Sequence, residues 1–349
     1  MRLQRLLAIL TFAAVLLGGP FAAPHPAAAQ AEQCFPETGF CVRDRFLDYW
    51  QANGGLARNG FPLSDERREL LEDGNEYTVQ YFERVRLELH PVNPPPYDVL
   101  LGQFGRRVYA GTVADPLLAI DERFRAYWEA NGRLAQFGYP VSGSYPEQLE
   151  DGTIYTVQYF ERVRLEYHPE NQPPYTILLG QFGRQILAEN ALIAEPFRYV
   201  FIVRRAVGRP LAAATVTPAT YLPFERGALL YQADTRTIHL FDFALGADGG
   251  GHATFPDTWN PGQPVGGGPG PTPGLYEPGR GFGTLWREHP EVRAQLGYAT
   301  APAETGYTLT AQTFQTVPLS RAGVTLYTRP DGQTAYAVNQ VTYFILPLH

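Results

Sequence analysis

Apolar side chains along residues 44–101 follow two rhythms in turn. Phe46, Tyr49 and Trp50 lie at i, i+3 and i+4, so they share one face of a short helix. The pair Asn53-Gly54 supplies a left-handed stop for it. Turns follow at Asn59-Gly60-Phe61-Pro62 and at Asp73-Gly74. From there the period is two. Tyr77, Val79, Tyr81, Val85, Leu87 and Leu89 take the odd positions, and Gln80, Arg84, Arg86, Glu88 and His90 the even ones. That alternation predicts a half-buried strand, or a hairpin bent near Glu83-Arg84, with one apolar and one solvated face. Asn93-Pro94-Pro95-Pro96 makes a stiff connection to a short strand at Val99-Leu100-Leu101, and Gly105 begins a loop or a short final helix. The segment reads as α+β.

The same segment then returns. Phe46, Tyr49 and Trp50 recur as Phe124, Tyr127 and Trp128, 78 residues on (from 50 to 128), and Gly60-Phe61-Pro62 recurs as Gly138-Tyr139-Pro140. Tyr77 to Glu88 is repeated letter for letter as Tyr155 to Glu166, and Leu100 to Arg106 as Leu178 to Arg184. A fixed offset without gaps is the mark of tandem duplication. It divides the chain into one unit at 34–112 and a second at 113–191. Beyond them the echoes are fainter. Trp286, Leu296-Gly297-Tyr298 and Gln312-Thr313-Phe314 echo Trp128, Phe137-Gly138-Tyr139 and Gln158-Tyr159-Phe160. Leu229-Leu230-Tyr231 with Thr237 to Leu240 resembles Thr325-Leu326-Tyr327 with Ala335 to Val338. The expectation is two degenerate units of the same helix-plus-hairpin plan: a strand-rich one at 192–273, ending in a Gly/Pro-rich linker, and a last one at 274–349. The linker, Pro261 to Gly274, is expected to hold no regular structure. The apolar run Phe197 to Val203 is expected to be a buried strand.

Asn59-Gly60-Phe61-Pro62, Phe137-Gly138-Tyr139-Pro140 and Leu296-Gly297-Tyr298 resemble the Leu-Gly-Phe-Pro core of the LGFP repeat of secreted bacterial envelope proteins. The whole unit, with its Tyr-Trp helix and Gln-Tyr-Phe-Glu-Arg strand, is similar to a repeat common in exported Chloroflexi proteins. The resemblance extends to Gly279 to Gly283 followed by Trp286 and Val292-Arg293. It implies a non-enzymatic cell-surface module, sometimes appended to hydrolases and held to contact cell-wall polysaccharide. Ala299 departs from the pattern, standing where the motif has proline.

Compartment is read from the N-terminus. Arg2 and Arg5 precede the apolar stretch Leu6 to Leu17, which is too short to span a bilayer comfortably; Pro20, Pro24 and Pro26 then lead to the small-residue run ending at Ala31. This predicts a signal peptide over 1–30 with cleavage after Ala29 or Ala31, hence export. No later segment reaches the length of a membrane span. The two cysteines, Cys34 and Cys41, follow directly; in an oxidising compartment they are expected to form a disulfide.

Charge narrows the partners. The chain carries a formal charge of −7, which becomes −9 once Arg2 and Arg5 leave with the signal. Every basic residue is arginine, and no basic run points to nucleic acid or anionic lipid. Catalytic chemistry is sparse. Ser64, Ser142, Ser144 and Ser320 are the only serines, none in a nucleophile elbow. No close histidine pair or phosphate loop is present, so neither a metal nor a cofactor is expected. His90 and His168, each before a proline, read as structural. Glu83 with Glu88, and Glu161 with Glu166, could flank a sugar, but the alternative is pairing with the neighbouring arginines across a solvated sheet face.

The candidate ligand surface is therefore the even face of the duplicated strand: Gln80, Phe82, Arg84 and Glu88, with Gln158, Phe160, Arg162 and Glu166. Phe82 and Phe160 interrupt that polar side. Either they offer flat rings to a sugar, or a helix or the neighbouring unit covers them. The expected function is a secreted, non-catalytic binding or scaffolding protein of the envelope, its partner a polysaccharide or another exported protein. The alternative is a glycan-acting hydrolase, or the targeting module of one.

Overall fold

The computed structural model describes residues 31–109, 111, 119–244, 246–315 and 323–349; the expected signal peptide, 1–30, lies outside them. A short hairpin, β1 (Glu32–Phe35) and β2 (Phe40–Arg43), opens the described chain, and the Cys34–Cys41 disulfide joins its strands. The first segment continues with α1 (Asp44–Ala52), α2 (Gly55–Asn59), β3 (Arg67–Leu70), β4 (Glu76–Tyr81), β5 (Arg86–Leu89), β6 (Val99–Leu101) and α3 (Phe104–Val108). The second has α4 (Glu122–Ala130), α5 (Arg133–Phe137), β7 (Tyr145–Gln148), β8 (Ile154–Tyr159), β9 (Arg164–Tyr167), β10 (Ile177–Leu179) and α6 (Phe182–Leu192). Each segment forms one four-stranded antiparallel meander. Their registers match: Tyr81 faces Arg86 as Tyr159 faces Arg164. The Asn53-Gly54 stop works as the sequence suggests, with the Asn53 N–H donating to the Tyr49 carbonyl and Gly54 at φ 87°. The chain then enters a second helix, α2, which the turn signals had hidden.

Of the two expectations for this run, the hairpin stands: the chain folds back at Phe82–Val85, and this changes which side chains share a face. Tyr81 pairs with Arg86 and Val79 with Glu88. Paired residues project to the same side of a sheet, so odd positions before the corner join even positions after it. Neither side is a solvated polar face. On one side, Phe46, Leu47, Trp50, Phe82, Val85 and Leu87 form a core beneath α1. On the other, Val79, Tyr81, Phe104, Val157, Tyr159 and Phe182 form a core between the two meanders. Trp50 is buried beside Phe35, ring centroids 5.3 Å apart, whereas Trp128 is only half-buried.

The two segments meet reciprocally. A Cβ on Gly105 would stand 1.9 Å from the Phe160 carbonyl oxygen, and one on Gly183 would stand 1.8 Å from that of Phe82. The Arg106 N–H donates to the Glu161 carbonyl (2.9 Å) and the Arg184 N–H to that of Glu83 (3.1 Å), and the side chains of each pair form an ion pair. Arg58 bonds Asn131 as Gln136 bonds Asn53. Contact of i with j and of j with i is the arrangement of a two-fold symmetric dimer, here within one chain.

The described residues of 195–349 form a closed eight-stranded antiparallel barrel with helices outside it. Its first half comprises a 3-10 turn (Glu195–Phe197), α7 (Arg198–Ile202), β11 (Thr215–Phe224), β12 (Gly227–Gln232), β13 (Thr237–Asp242) and β14 (Gly249–Pro256). An exposed ribbon follows, β15 (Gly266–Pro269) with β16 (Tyr276–Gly279). The second half comprises α8 (Arg280–Glu288), α9 (Pro290–Leu296), β17 (Thr305–Gln315), β18 (Gly323–Thr328), β19 (Thr334–Asn339) and β20 (Thr342–Pro347). Leu230, Phe241, Leu309, Tyr336 and Tyr343 belong to one buried cluster contributed by strands of both halves.

Three expectations change here. The run Phe197 to Val203 is helical as far as Ile202, because Phe197, Val200 and Phe201 at i, i+3 and i+4 bury together. The Gly/Pro-rich stretch is exposed but contributes β15. The C-terminal half is one barrel, and each helical pad sits on the other half's strand corner. Pro210 bridges Phe314 and Ala299 bridges Phe224, as Pro62 bridges Phe82. The smaller contacts agree. Trp286 Nε1 donates to the Gly297 carbonyl at 2.8 Å, as Trp50 does to that of Gly60 at 3.2 Å. Gln312 Nε2 donates to the carbonyls of Leu192 and Ala212, as Gln80 does to those of Cys41 and Ser64. Among the described residues no helix is long and apolar enough to cross a membrane.

Candidate functional site

The even-face residues do not gather on an open surface. Gln80 and Gln158 are fully buried and tie the strand to adjoining loops. Phe82 and Phe160 are also fully buried, covered by the helical side of their own segments. Arg84 and Arg162 sit at the corner and donate to the carbonyls of Leu56 (3.1 Å) and Leu134 (2.8 Å). Glu88 and Glu166 face the other meander. The polar positions are thus occupied by packing and by the contact between segments, which accounts for their identity in both copies.

That inner face carries a buried charge network. Arg86, 1% exposed, donates to Glu88 and Glu72 at 2.6 and 2.8 Å, and its guanidinium lies 5.2 Å from the Phe104 ring centre. Arg164 repeats this with Glu166 at 2.8 Å, Glu150 at 3.1 Å and the Phe182 ring at 5.3 Å. A buried charge survives only when paired and hydrogen-bonded in this way. Burial works against the Arg164 charge, but Glu166 and the Tyr159 hydroxyl outweigh it and hold its pKa above the usual range. His90 and His168 take structural places, each 3.2 Å from a network carboxylate and in tilted contact with Tyr77 or Tyr155.

The two networks end differently. In the first, the Tyr81 hydroxyl is enclosed by Glu69 (2.8 Å) and Asn190 of α6 (2.9 Å). In the second, Tyr159, Arg164, Glu147 and Glu150 line a cleft of about 770 Å³ between this segment and the barrel. Tyr109 and Tyr145 add aromatic wall, and Arg205 and Arg209 bring exposed guanidinium groups from the barrel side. Burial pushes the Tyr159 hydroxyl up to about 12, against the pull of Arg164. Tyr145 is raised as well, by burial and then by Glu147. Both phenols therefore stay protonated at neutral pH, and that of Tyr159 donates to Glu147 Oε1 at 3.0 Å. One Glu147 oxygen is buried without a partner among the described residues.

Sequence reading passed over Glu147, Glu150, Tyr159, Arg205 and Arg209 as site residues. For the first three a signal existed: Glu69, Glu72 and Tyr81 precede them at the same 78-residue offset (69 to 147, 72 to 150, 81 to 159). No such signal marks the arginines, which the fold brings in from the barrel. The one grouping of metal-type ligands among the described residues is Glu32 with Cys34 and Cys41, whose sulfurs are bonded to each other. No protein-family model, curated protein or solved structure matches this chain.

Proposed function

We propose that this chain is an exported, non-catalytic binding protein, built from four versions of one LGFP-like unit, whose cleft takes a carboxylate-bearing segment of envelope polysaccharide. The observation that carries the reading is the cleft of about 770 Å³, with tyrosines for ring faces and hydroxyls and with arginines and glutamates for polar contacts. Its volume falls within the range of about 300–1,000 Å³ typical of ligand sites. Arg205 and Arg209 on the barrel wall favour an acidic sugar over a neutral one. The Cys34–Cys41 disulfide is compatible with export.

Support for four units comes from the shared corner, where a helical segment closes a Gly-x-Pro or Gly-x-Ala turn over a phenylalanine. In the barrel the closing partners are exchanged between halves.

Calorimetric titration with oligogalacturonate and with a neutral cello-oligomer of equal length tests the proposal. The acidic oligomer should bind more tightly, its affinity should fall with added salt, and Arg209→Ala should weaken it. Equal affinity for both oligomers, or no binding, overturns the acidic-glycan reading. Turnover of either oligomer replaces it with the hydrolase reading.

A further inference from the structure

A second, smaller pocket of about 260 Å³ lies on the barrel's flank, among β11, β12, β13 and the start of α8. Its outer wall is the connection that leaves β14 at Pro256. The Arg236 guanidinium pins this connection, donating to the carbonyl oxygens of Asp257 (3.1 Å) and Trp259 (2.8 Å). The Trp259 N–H donates to Asp257 Oδ1 at 3.1 Å, and its indole Nε1 to the Pro264 carbonyl at 3.3 Å. A half-exposed indole is thereby fixed in place with its own polar atom satisfied, leaving the ring to line the pocket beside Tyr231 and Phe282.

Around these rings stand Asp257, Glu304 and Arg280. The Asp257 and Glu304 side chains are mostly buried (9% and 15% exposed), and Arg280, 57% exposed, lies 3.7 Å from Glu304. Burial raises the Glu304 carboxyl, with Arg280 opposing. Asp257 fits so closely on the start of α8 that a Cβ at Gly281 would meet its Oδ1 at 2.3 Å. A fixed aromatic wall with carboxylates and a guanidinium beside it suits a pyranose, which has an apolar C–H face and a rim of hydroxyls. An organic cation such as choline also likes aromatic rings with carboxylates. Here Arg236 and Arg280 already stand against the acids, which disfavours added positive charge.

We propose that this pocket is a second sugar site, holding one pyranose ring against Trp259 with hydroxyls bonded to Asp257, Glu304 and Arg280. The proposal rests on the glycan-binding reading above but on different residues. In a repeating polymer, two linked weak sites gain through effective concentration.

Saturation-transfer NMR on the full mature chain, with methyl glucoside, methyl galactoside, N-acetylglucosamine and choline as probes, tests it. At least one sugar should receive saturation on its ring protons. Trp259→Ala should weaken that binding by about tenfold or more, as expected for an aromatic anchor. Trp259→Phe, which keeps a ring, should retain most of it, and Glu304→Gln should weaken it at unchanged melting temperature. Arg209→Ala, in the larger cleft, which shares no lining residue with this pocket, should leave monosaccharide binding intact, so failure of one site is distinguishable from failure of the other. Transfer to choline alone, transfer to none of the sugars, or full binding by a folded Trp259→Ala protein overturns the proposal.

Discussion

Pro210 bridges Phe314, on the far side of the barrel sequence, whereas Pro62 and Pro140 bridge phenylalanines in their own hairpins. The difference traces to chain length. Pro62 and Phe82 are 20 residues apart (62 to 82), as are Pro140 and Phe160 (140 to 160); Pro210 and Phe224 are 14 apart (210 to 224), Ala299 and Phe314 15 (299 to 314). The shorter spacing leaves no room for a turn like those at Asp73-Gly74 and Asp151-Gly152. Without it β11 and β17 run straight and pair with each other, Thr215↔Ala311 to Pro218↔Thr308, where the N-terminal segments pair Arg67↔Val79 to Leu70↔Glu76 within one hairpin. A shortened hinge that forces strand exchange is the usual origin of domain swapping.

The exchange predicts which fragments fold. Residues 31–192 should give a cooperative thermal transition by circular dichroism, and so should 193–349. Residues 193–274 alone should not, because Phe197, Val200 and Phe201 lose Phe314, Val324 and Leu326 from their core. A cooperative transition in that short fragment would rule out the exchange as a stabilising feature.

Gly183→Ala and Gly105→Ala should each destabilise the N-terminal pair. The added Cβ meets a backbone carbonyl, which cannot move aside as a side-chain tip can. Overpacking of this kind costs about 1–3 kcal/mol, and these two should fall at the upper end. Gly143→Ala, with nothing within 4 Å of the new carbon, should lie within about 0.5 kcal/mol of the parent by urea denaturation.

Much of the fold was legible where local chemistry decides it. The Phe46-Tyr49-Trp50 spacing, the Asn53-Gly54 stop and the bend near Glu83-Arg84 all stand in the structure. What the sequence hid was non-local. Odd-position apolarity across Tyr77–Leu89 looked like a single buried face, yet the corner reverses which parity faces which way. The polar residues then meet a partner segment 78 residues away, and nothing in one copy signals that partner. The cleft was hidden for the same reason: Glu147 and Tyr159 meet within one meander, but Arg209 joins them only through the barrel's position.

Phe82→Ala should behave as a core deletion. The ring is fully buried with Val85, Leu87 and Trp50, so truncation should cost about 3–5 kcal/mol in a denaturant titration. A loss below about 1 kcal/mol would mean that the helical side of this hairpin is loosely packed.

Acid should weaken the barrel through His239. Its ring is buried on β13, with Nδ1 3.1 Å from His252 Nε2 and Nε2 3.2 Å from Gln232 Oε1. Burial, and then the neighbouring His252, lower its pKa to about 4. A histidine depressed in the folded state is protonated more readily when unfolded. Its contribution is therefore complete above about pH 6.5 and lost as the pH falls toward 4. At about 1.4 kcal/mol per unit the loss is on the order of 3 kcal/mol. The melting temperature of the parent should drop more between pH 7 and pH 4.5 than that of His239→Gln. Equal drops would place the acid sensitivity in His252, which burial also lowers, or in the carboxylates.

Export and the disulfide are checked together by mass spectrometry of secreted protein. The chain should begin near Gln30 or Glu32, because the small-residue run ending at Ala31 offers the cleavage site. Its intact mass should correspond to Cys34 and Cys41 joined, with no alkylation before reduction. The bond closes the β1–β2 hairpin that carries Phe35, and Phe35 lies against both Trp50 and Phe61. Reduction should therefore loosen the cover over Trp50 and shift its fluorescence to the red, while the second segment keeps its own core of Phe124, Phe137 and Phe160. A chain retaining Met1, or two thiols open to alkylation without reductant, would overturn the export reading. An unchanged Trp50 spectrum after reduction would show that the hairpin holds Phe35 in place without the bond.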